Sequence, residues 1–149
     1  MPDVDPLLEH TLRFRVRTYE VDENGHVNNA VYLQWAENLT ADHAEAQGFG
    51  RQWSLDRGGA WLVRRHEIFY RRPAVGGDEV VATVRVESLD RVRGTRRTSF
   101  QRAADGEQLA EVRSEWVWVR LSDGRPSRVP QELLDAWGPA LAPASRGVD

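Results

Sequence analysis

One segment with helical periodicity stands among segments that alternate between apolar and polar residues, and this contrast limits what the chain can fold into. Between residues 29 and 47, apolar side chains recur at spacings of three and four, which predicts an amphipathic helix. Gly48 is placed to end that helix as its C′ residue. A single long helix must bury its apolar stripe against a sheet. The pattern therefore predicts an α+β architecture, in which one antiparallel sheet wraps around one long helix.

The alternating segments predict five strands. They cover residues 11–19, 60–70, 79–89, 95–103 and 109–121. In the first of them, Leu12, Phe14 and Val16 share one face, which is typical of a half-buried strand. Most of the later strands follow each other through short polar turns and are expected to form hairpins. Residues 49–59 are predicted to be a connection, and residues 130–137 a short helix.

The length of 149 residues suits a single domain spanning residues 1–149. We expect residues 1–9 and 139–149 to be flexible, because the first segment carries two prolines and several charges and the last is rich in Pro, Ala and Ser. No apolar run reaches the length of a membrane span, and the first residues lack a signal-peptide pattern. A cytoplasmic protein without a membrane partner is expected.

Composition excludes several kinds of chemistry. The chain has no cysteine, so disulfides, thiolate nucleophiles and thiolate metal sites are excluded. All 20 basic residues are arginine, so a mechanism through a lysine Schiff base is excluded as well. The formal net charge of -3 argues against a general nucleic-acid binder.

The polar loop between the first strand and the helix collects reactive side chains. Asp22, Asn24 and His26 occupy every second position, which a looped backbone, unlike a helix, can bring to one face. Asn28 and Asn29 follow and are good N-cap residues. The loop therefore places an acid, an amide and an imidazole beside the N–H groups at the start of a helix. Two ligands at this spacing do not predict a metal site.

This loop resembles the active-site signature of hotdog-fold acyl thioesterases, which include the 4-hydroxybenzoyl-CoA thioesterase-like branch and the acyl-ACP thioesterases. The matching residues are Asp22-x-Asn24-x-His26-Val27-Asn28-Asn29-x-x-Tyr32-x-x-Trp35. A second patch resembles the strand-and-turn segment common in this family, with Ile68, Tyr70, Pro73, Ala74, Gly76, Gly77 and Asp78. The resemblance covers about residues 11–121 and implies the hotdog fold, an antiparallel sheet wrapped around one long central helix.

The resemblance also implies which residues carry out catalysis. In acyl-ACP thioesterases the catalytic roles belong to residues that match Asp22, Asn24 and His26. Asp22 can attack the thioester carbonyl and form a mixed anhydride, or it can deprotonate a water, and both alternatives stay open. N–H groups at the helix start can stabilise the oxyanion. No metal or organic cofactor is needed for this chemistry.

Substrate binding is predicted for residues close to the loop and for arginines. The candidates are Asn28, Asn29, Tyr32, Arg71 and Arg72. Arginine pairs well with the phosphates of CoA or of a phosphopantetheine arm. A second group of candidates consists of Arg91, Arg93, Arg96 and Arg97, although an exposed strand face would produce the same pattern.

Other polar residues receive weaker predictions. Glu37 matches an acid often found on the central helix of this family, but its role here stays open. His43 lies on the apolar stripe of the helix and is expected to be a hydrogen-bonded core histidine. His66 lies in a strand and His10 in the N-terminal arm, and neither is assigned a role.

The sequence therefore predicts an enzyme that hydrolyses an acyl thioester delivered by CoA or by an acyl carrier protein. A lone hotdog sheet leaves one edge and part of the helix uncovered, so a homodimer or homotetramer is expected. Hotdog active sites form between two protomers, so arginines of one chain can serve the site of the other. Two alternatives stay open: a hydratase or dehydratase of the same fold, and a non-catalytic acyl-thioester binding protein. The acyl group and its carrier also stay open.

Overall fold

A computed structural model describes residues 6–146 as a sheet of five antiparallel strands with helices packed on it. The elements are β1 (Glu9–Arg15), a short 3-10 turn (Thr18–Glu20), α1 (Val31–Ala46), α2 (Arg51–Asp56), β2 (Gly59–Tyr70), β3 (Glu79–Leu89), β4 (Arg93–Arg102), β5 (Gln108–Arg120) and α3 (Gln131–Arg146). The strand order is β1-β3-β4-β5-β2, so β1 and β2 form the two edges. The predicted α+β class is confirmed.

Alternation along the strands decides which face of the sheet is buried. In β3, Val80, Ala82, Val84 and Val86 are each at most 2% exposed, as the spacing of two predicts. Phe100 of β4 lies beside Ala82 in the register and is fully buried on the same face. The four apolar residues of β3 and the aromatic ring of β4 therefore define the face that a helix must cover.

Helix α1 covers that face. Its buried residues are Tyr32, Trp35, Ala36, Leu39 and His43, at the predicted spacings of three and four. The ring centroids of Tyr32 and Trp35 are 5.7 and 5.6 Å from that of Phe100. Burying an aromatic or aliphatic side chain of this size stabilises a fold by roughly 1.5–3 kcal/mol. The helix is therefore held mainly by its apolar stripe.

Residues 6–9 and 138–146 are part of the packed structure, which the sequence did not predict. We expected flexibility up to residue 9, but Leu8 is 2% exposed and Glu9 begins β1; residues 1–5 lie outside the described residues. We also expected a short helix to residue 137 and a flexible tail from residue 139. Instead, α3 continues to Arg146, and residues 147–149 lie outside the described part. Leu133 and Trp137, four residues apart, are buried and fix α3 on the sheet.

The predicted connection over residues 49–59 contains the helix α2. The rings of Phe49 and Trp53 pack against each other with centroids 4.9 Å apart. Phe49 also contacts Trp137, and Trp53 contacts Trp118, with centroids 5.7 and 6.0 Å apart. These partners lie far away in the sequence, so local propensity did not predict the helix.

One charged side chain points from β4 into the interior. Arg96 is 9% exposed, and its Nη1 donates to Nδ1 of His43 at 2.9 Å. His43 Nε2 donates to the carbonyl of Leu7 at 2.9 Å. These two bonds require a neutral ring with its proton on Nε2. The prediction of a hydrogen-bonded core histidine is confirmed, whereas Arg96 does not belong to an exposed arginine face.

Among residues 6–146, none of the helices combines the length and the apolar character needed to cross a bilayer.

The surroundings of His43 predict stability that decreases in acid. Burial and the nearby Arg96 guanidinium lower the pKa of His43 from 6.5 to about 4. The unfolded chain therefore binds a proton at His43 more tightly than the folded chain does. The stability that neutral His43 contributes is complete above pH 6.5 and is lost as the pH falls toward 4. Urea unfolding of His43→Gln, whose amide can donate to Leu7 and accept from Arg96 without titrating, provides the comparison.

Between pH 7 and pH 4 we expect the wild type to lose about 3 kcal/mol more free energy of unfolding than His43→Gln. The carboxylates titrate equally in both proteins, so their contribution to the free energy of unfolding cancels in the difference. Parallel curves for the two proteins over this pH range would contradict a neutral buried His43.

Candidate active site

The polar loop is a closed turn between the 3-10 turn and α1. The N–H of Asp22 donates to the carbonyl of His26 at 2.7 Å, and the N–H of Gly25 donates to the carbonyl of Asp22 at 2.9 Å. Gly25 has φ +78°, a left-handed conformation that residues with a side chain rarely adopt. Val27 is buried, and its N–H donates to the carbonyl of Ala74. The loop is thereby tied to the segment that follows β2.

The carboxylate of Asp22 holds this turn with one oxygen. Its Oδ1 accepts from the N–H groups of Asn24 and His26, at 2.8 and 3.1 Å. Within residues 6–146, Oδ2 of Asp22 and the side chains of Asn24 and His26 form no hydrogen bond, and all three residues are exposed. A carboxylate with one oxygen fixed and the other accessible is suited to act as a base or a nucleophile.

A buried carboxylate that the sequence analysis missed fixes the loop against the helix. Glu20 is 7% exposed, and its Oε2 accepts from Nε1 of Trp35 at 2.8 Å. Its Oε1 accepts from the N–H of Arg17 at 2.8 Å, and its backbone carbonyl accepts from the N–H of Asn28. Glu20 and Trp35 are 15 residues apart in two different elements, so no local spacing relates them.

Some of the backbone N–H groups at the start of α1 already donate to acceptors within the chain. Asn28 accepts from the N–H of Ala30 through Oδ1 and from the N–H of Val31 through its carbonyl, both at 2.9 Å. These two groups, which we expected to be free for an oxyanion, are therefore occupied. Asn29 is exposed, its N–H has no acceptor in the described chain, and its carbonyl accepts from the hydroxyl of Tyr70. Asn29 N–H and the positive end of the helix dipole remain for a substrate oxygen.

Tyr32 lies in the core, which corrects the prediction that it contacts substrate. It is 2% exposed, and its hydroxyl accepts from the N–H of Ala74 at 3.3 Å. Burial raises the pKa of the Tyr32 hydroxyl. Arg71 and Arg72, by contrast, are exposed just beyond β2, and Nε of Arg72 lies 3.6 Å from the carboxylate of Glu107.

Two side-chain contacts join β2 to α1 and to the residues just before it. Tyr70 donates to the carbonyl of Asn29, and His66 lies beside Glu37. Glu37 lies six residues beyond the first helical residue, about 9 Å along the axis. His66 Nε2 is 3.7 Å from Oε2 of Glu37, and His66 Nδ1 is 2.7 Å from the hydroxyl of Ser114. The sequence assigned no role to His66, because Ser114 is its neighbour only across the β2–β5 ladder.

Glu37 also lines a cavity of about 410 Å³ that extends along α1 toward Glu45. This α1–β2 cavity is lined by residues of α1, α2, β2, β3, β4, β5 and α3, with Trp61, Trp116 and Trp137 in its wall. Ligand sites in proteins typically have volumes of about 300–1,000 Å³. Among the described residues, no three His, Asp or Glu side chains cluster in a way that could hold a metal ion.

Comparisons with known proteins agree with this architecture. The family model of the thioesterase-like superfamily matches residues 16–137. Long-chain acyl-CoA thioesterase FadM of Escherichia coli is 30% identical over 124 residues, which cover 83% of this chain and 92% of the relative. Acyl-acyl carrier protein thioesterase ATL2 of Arabidopsis thaliana is 26% identical over 129 residues, which cover 87% of this chain and 68% of the relative.

A solved structure from Lactobacillus plantarum, described as an oleoyl thioesterase, matches with a TM-score of 0.81 at 23% identity. The match covers 87% of this chain and 50% of that chain, so this chain spans half the length of that relative. At this identity the likeness concerns the fold, and it confirms the predicted hotdog fold.

The buried Glu20 predicts a stability effect that an exposed acid of the same loop does not have. In Glu20→Gln, an NH₂ group replaces one carboxylate oxygen. This donor would face the indole N–H of Trp35 or the backbone N–H of Arg17 and could not accept from it. We expect the free energy of unfolding to fall by about 1–3 kcal/mol, measured by urea denaturation. Glu23→Gln, in the exposed part of the loop, serves as the matched control and should stay within about 0.5 kcal/mol of the wild type. Equal stabilities of the two variants would contradict the role of Glu20.

Proposed function

Because this chain belongs to the thioesterase-like superfamily, we propose that it hydrolyses an acyl thioester to a carboxylic acid and a thiol. One observation carries the proposal: the Asp22 carboxylate is fixed through Oδ1 and accessible through Oδ2, in the loop that leads into α1. The α1–β2 cavity lies further along the same helix and suits an acyl chain in volume and apolar lining.

Asp22 acts on the thioester in one of two ways. As a general base, Oδ2 takes a proton from water, whose oxygen attacks the carbonyl carbon, and the thiolate leaves when the tetrahedral intermediate collapses. As a nucleophile, Oδ2 attacks the carbonyl itself, the thiolate leaves, and water hydrolyses the resulting anhydride. Both routes consume one water and release one acid and one thiol. Single turnover in ¹⁸O water separates them, because only the anhydride route can leave ¹⁸O in the Asp22 carboxylate.

The developing oxyanion is stabilised at the start of α1. The N–H of Asn29 is the donor that remains there, and the positive end of the helix dipole acts on the same oxygen. Loss of one such donor typically costs about 3 kcal/mol of transition-state stabilisation. His26 and Asn24 are placed in the same exposed loop to polarise the carbonyl or position the water.

Arg71 and Arg72 are proposed to bind the phosphates of the carrier. Both are exposed and directly follow Tyr70, whose hydroxyl donates to the carbonyl of Asn29, so they lie near the start of α1. CoA and the phosphopantetheine arm of a carrier protein both present phosphate oxygens, which arginine binds well. One relative is named for acyl-CoA and another for acyl carrier protein, so both carriers belong in the test.

Asp22 provides the central test. Asp22→Asn keeps an oxygen that can accept from both loop N–H groups but removes the charge, whereas Asp22→Ala removes both. We expect thiol release from a panel of acyl-CoA and acyl-pantetheine thioesters to fall about 10²- to 10⁴-fold in kcat for both variants. Only Asp22→Ala should also lose stability, by about 1–2 kcal/mol.

Glu23→Gln, an exposed acid next to Asp22, is the control and should keep wild-type activity. Wild-type rates in Asp22→Asn would mean that Asp22 only shapes the loop. Hydration of an enoyl thioester without thiol release would instead identify a hydratase. Tight binding of acyl thioesters without any turnover would identify a binding protein.

We also propose that the chain forms a homodimer or homotetramer. β2 is an edge of the described sheet, and Leu62, Phe69 and Tyr70 on it are 52%, 37% and 49% exposed. Pairing of this edge with a second copy would cover its unpaired N–H and C=O groups. Light scattering should therefore give two or four times the 17.0 kDa of one chain. A mass of one chain at the concentration where hydrolysis is measured would contradict this assembly.

A further inference from the structure

The inner end of the α1–β2 cavity carries a positive charge. Arg96 belongs to the cavity wall and is 9% exposed. Within the described chain, His43 Nδ1 is the one hydrogen-bond partner of its guanidinium, and no carboxylate pairs with it. A guanidinium has five N–H donors, so most of its hydrogen-bonding capacity is unused.

Arg96 remains charged in this surrounding. Burial lowers its pKa to about 10, which is still well above neutral pH. The Trp137 ring lies 5.4 Å from the guanidinium carbon and provides a cation–π contact. Such a contact stabilises a cation by far less than the cost of burying an isolated charge. The cavity therefore contains a cation that the described protein compensates only in part.

The acids near the cavity do not neutralise this cation. The side chain of Glu37 is 53% exposed, and its Oε2 lies 3.7 Å from Nε2 of His66. Glu45 is exposed and accepts from the backbone N–H of Arg51. Arg51 is exposed as well, so Arg96 is the one buried charged side chain among the residues that line the cavity.

We propose that the cavity binds an apolar chain that ends in a carboxylate, and that this carboxylate pairs with Arg96. The apolar wall would hold the chain, and the planar guanidinium would bind both carboxylate oxygens. The inference rests on the proposed function and gives it a substrate class: an acyl thioester whose acyl chain carries a second carboxylate at its far end. A free carboxylic acid, such as the product of the reaction, has the same chemistry and is the other source.

The length of α1 sets the length of the acyl chain in this arrangement. His43, the partner of Arg96, lies 12 residues beyond the start of α1, which corresponds to about 18 Å along the helix axis. A thioester at Asp22 and a carboxylate at Arg96 would therefore require a long, extended acyl chain. Glu37, which also lines the cavity, lies between them along the helix.

The first experiment compares two substrates of equal length with the full chain: hexadecanoyl-CoA and the mono-CoA thioester of hexadecanedioic acid. We expect the wild type to prefer the dicarboxylic substrate in kcat/KM by about 10- to 100-fold, the range for a hydrogen bond to a charged group. Arg96→Gln retains a donor for His43 but no charge and should lose this preference, whereas Arg96→Lys should keep part of it. Arg125→Gln removes an exposed arginine that does not line the cavity and should behave as the wild type.

The second experiment measures binding without turnover. Titration calorimetry with decanedioate, decanoate and 1-decanol should show wild-type binding of both acids at least about 10-fold tighter than of the alcohol. Arg96→Gln should bind all three alike. Because the wild type is compared with itself across three ligands, the result stands even if an Arg96 variant does not fold.

The outcomes separate the two proposals. Arg96-dependent binding of acids without hydrolysis of any thioester would contradict the proposed function but support the carboxylate site in the cavity. Hydrolysis of both thioesters at equal rates, with the acids binding no tighter than the alcohol, would overturn the carboxylate site alone. Binding and inhibition by decanoate without preference for the dicarboxylic thioester would identify the free acid as the ligand.

Discussion

The side chain of Trp35 links the core of this protein to its candidate active site. Its ring packs against Phe14, Tyr32 and Phe100, with centroid distances of 4.9, 5.1 and 5.6 Å, so the helix is fixed on the sheet. Its indole N–H donates to the buried carboxylate of Glu20, which precedes the polar loop. The position of the Asp22 carboxylate therefore depends on aromatic packing below the helix as well as on hydrogen bonds within the loop.

The parts that could be predicted from the sequence are those with local signals. A spacing of three and four marked α1, and alternation marked the strands, because these periods are set by backbone geometry. The loop could be recognised because its hydrogen bonds join residues that are close in the sequence: Asp22 accepts from the N–H groups two and four residues later. Asn28 and Asn29 were both predicted to be suitable N-cap residues, but Ala30 is the N-cap, and the Asn28 side chain instead accepts from the N–H of Ala30.

The parts that could not be predicted depend on partners far away in the sequence. Glu20 is buried because Trp35 is there to donate to it, and α2 forms where Phe49 and Trp53 meet aromatic rings of other elements. Tyr32 fits both a binding motif and a core position, and only the packing around it shows that it is buried. The burial of Arg96 was not predicted either, because strand alternation alone does not reveal which face of β4 points inward.

The inward position of Arg96 is difficult to explain by stability alone. An apolar residue there would pack beside Val86 and Ser114, its neighbours across the ladder, without the cost of desolvating a charge. His43 does not offset that cost, because its ring is neutral and its pKa is itself lowered by burial and by Arg96. A carboxylate bound in the cavity would supply the missing negative charge. In the arrangement that we propose, Asp22 would act on the thioester, and Arg96 in the cavity wall would favour acyl chains that end in a carboxylate.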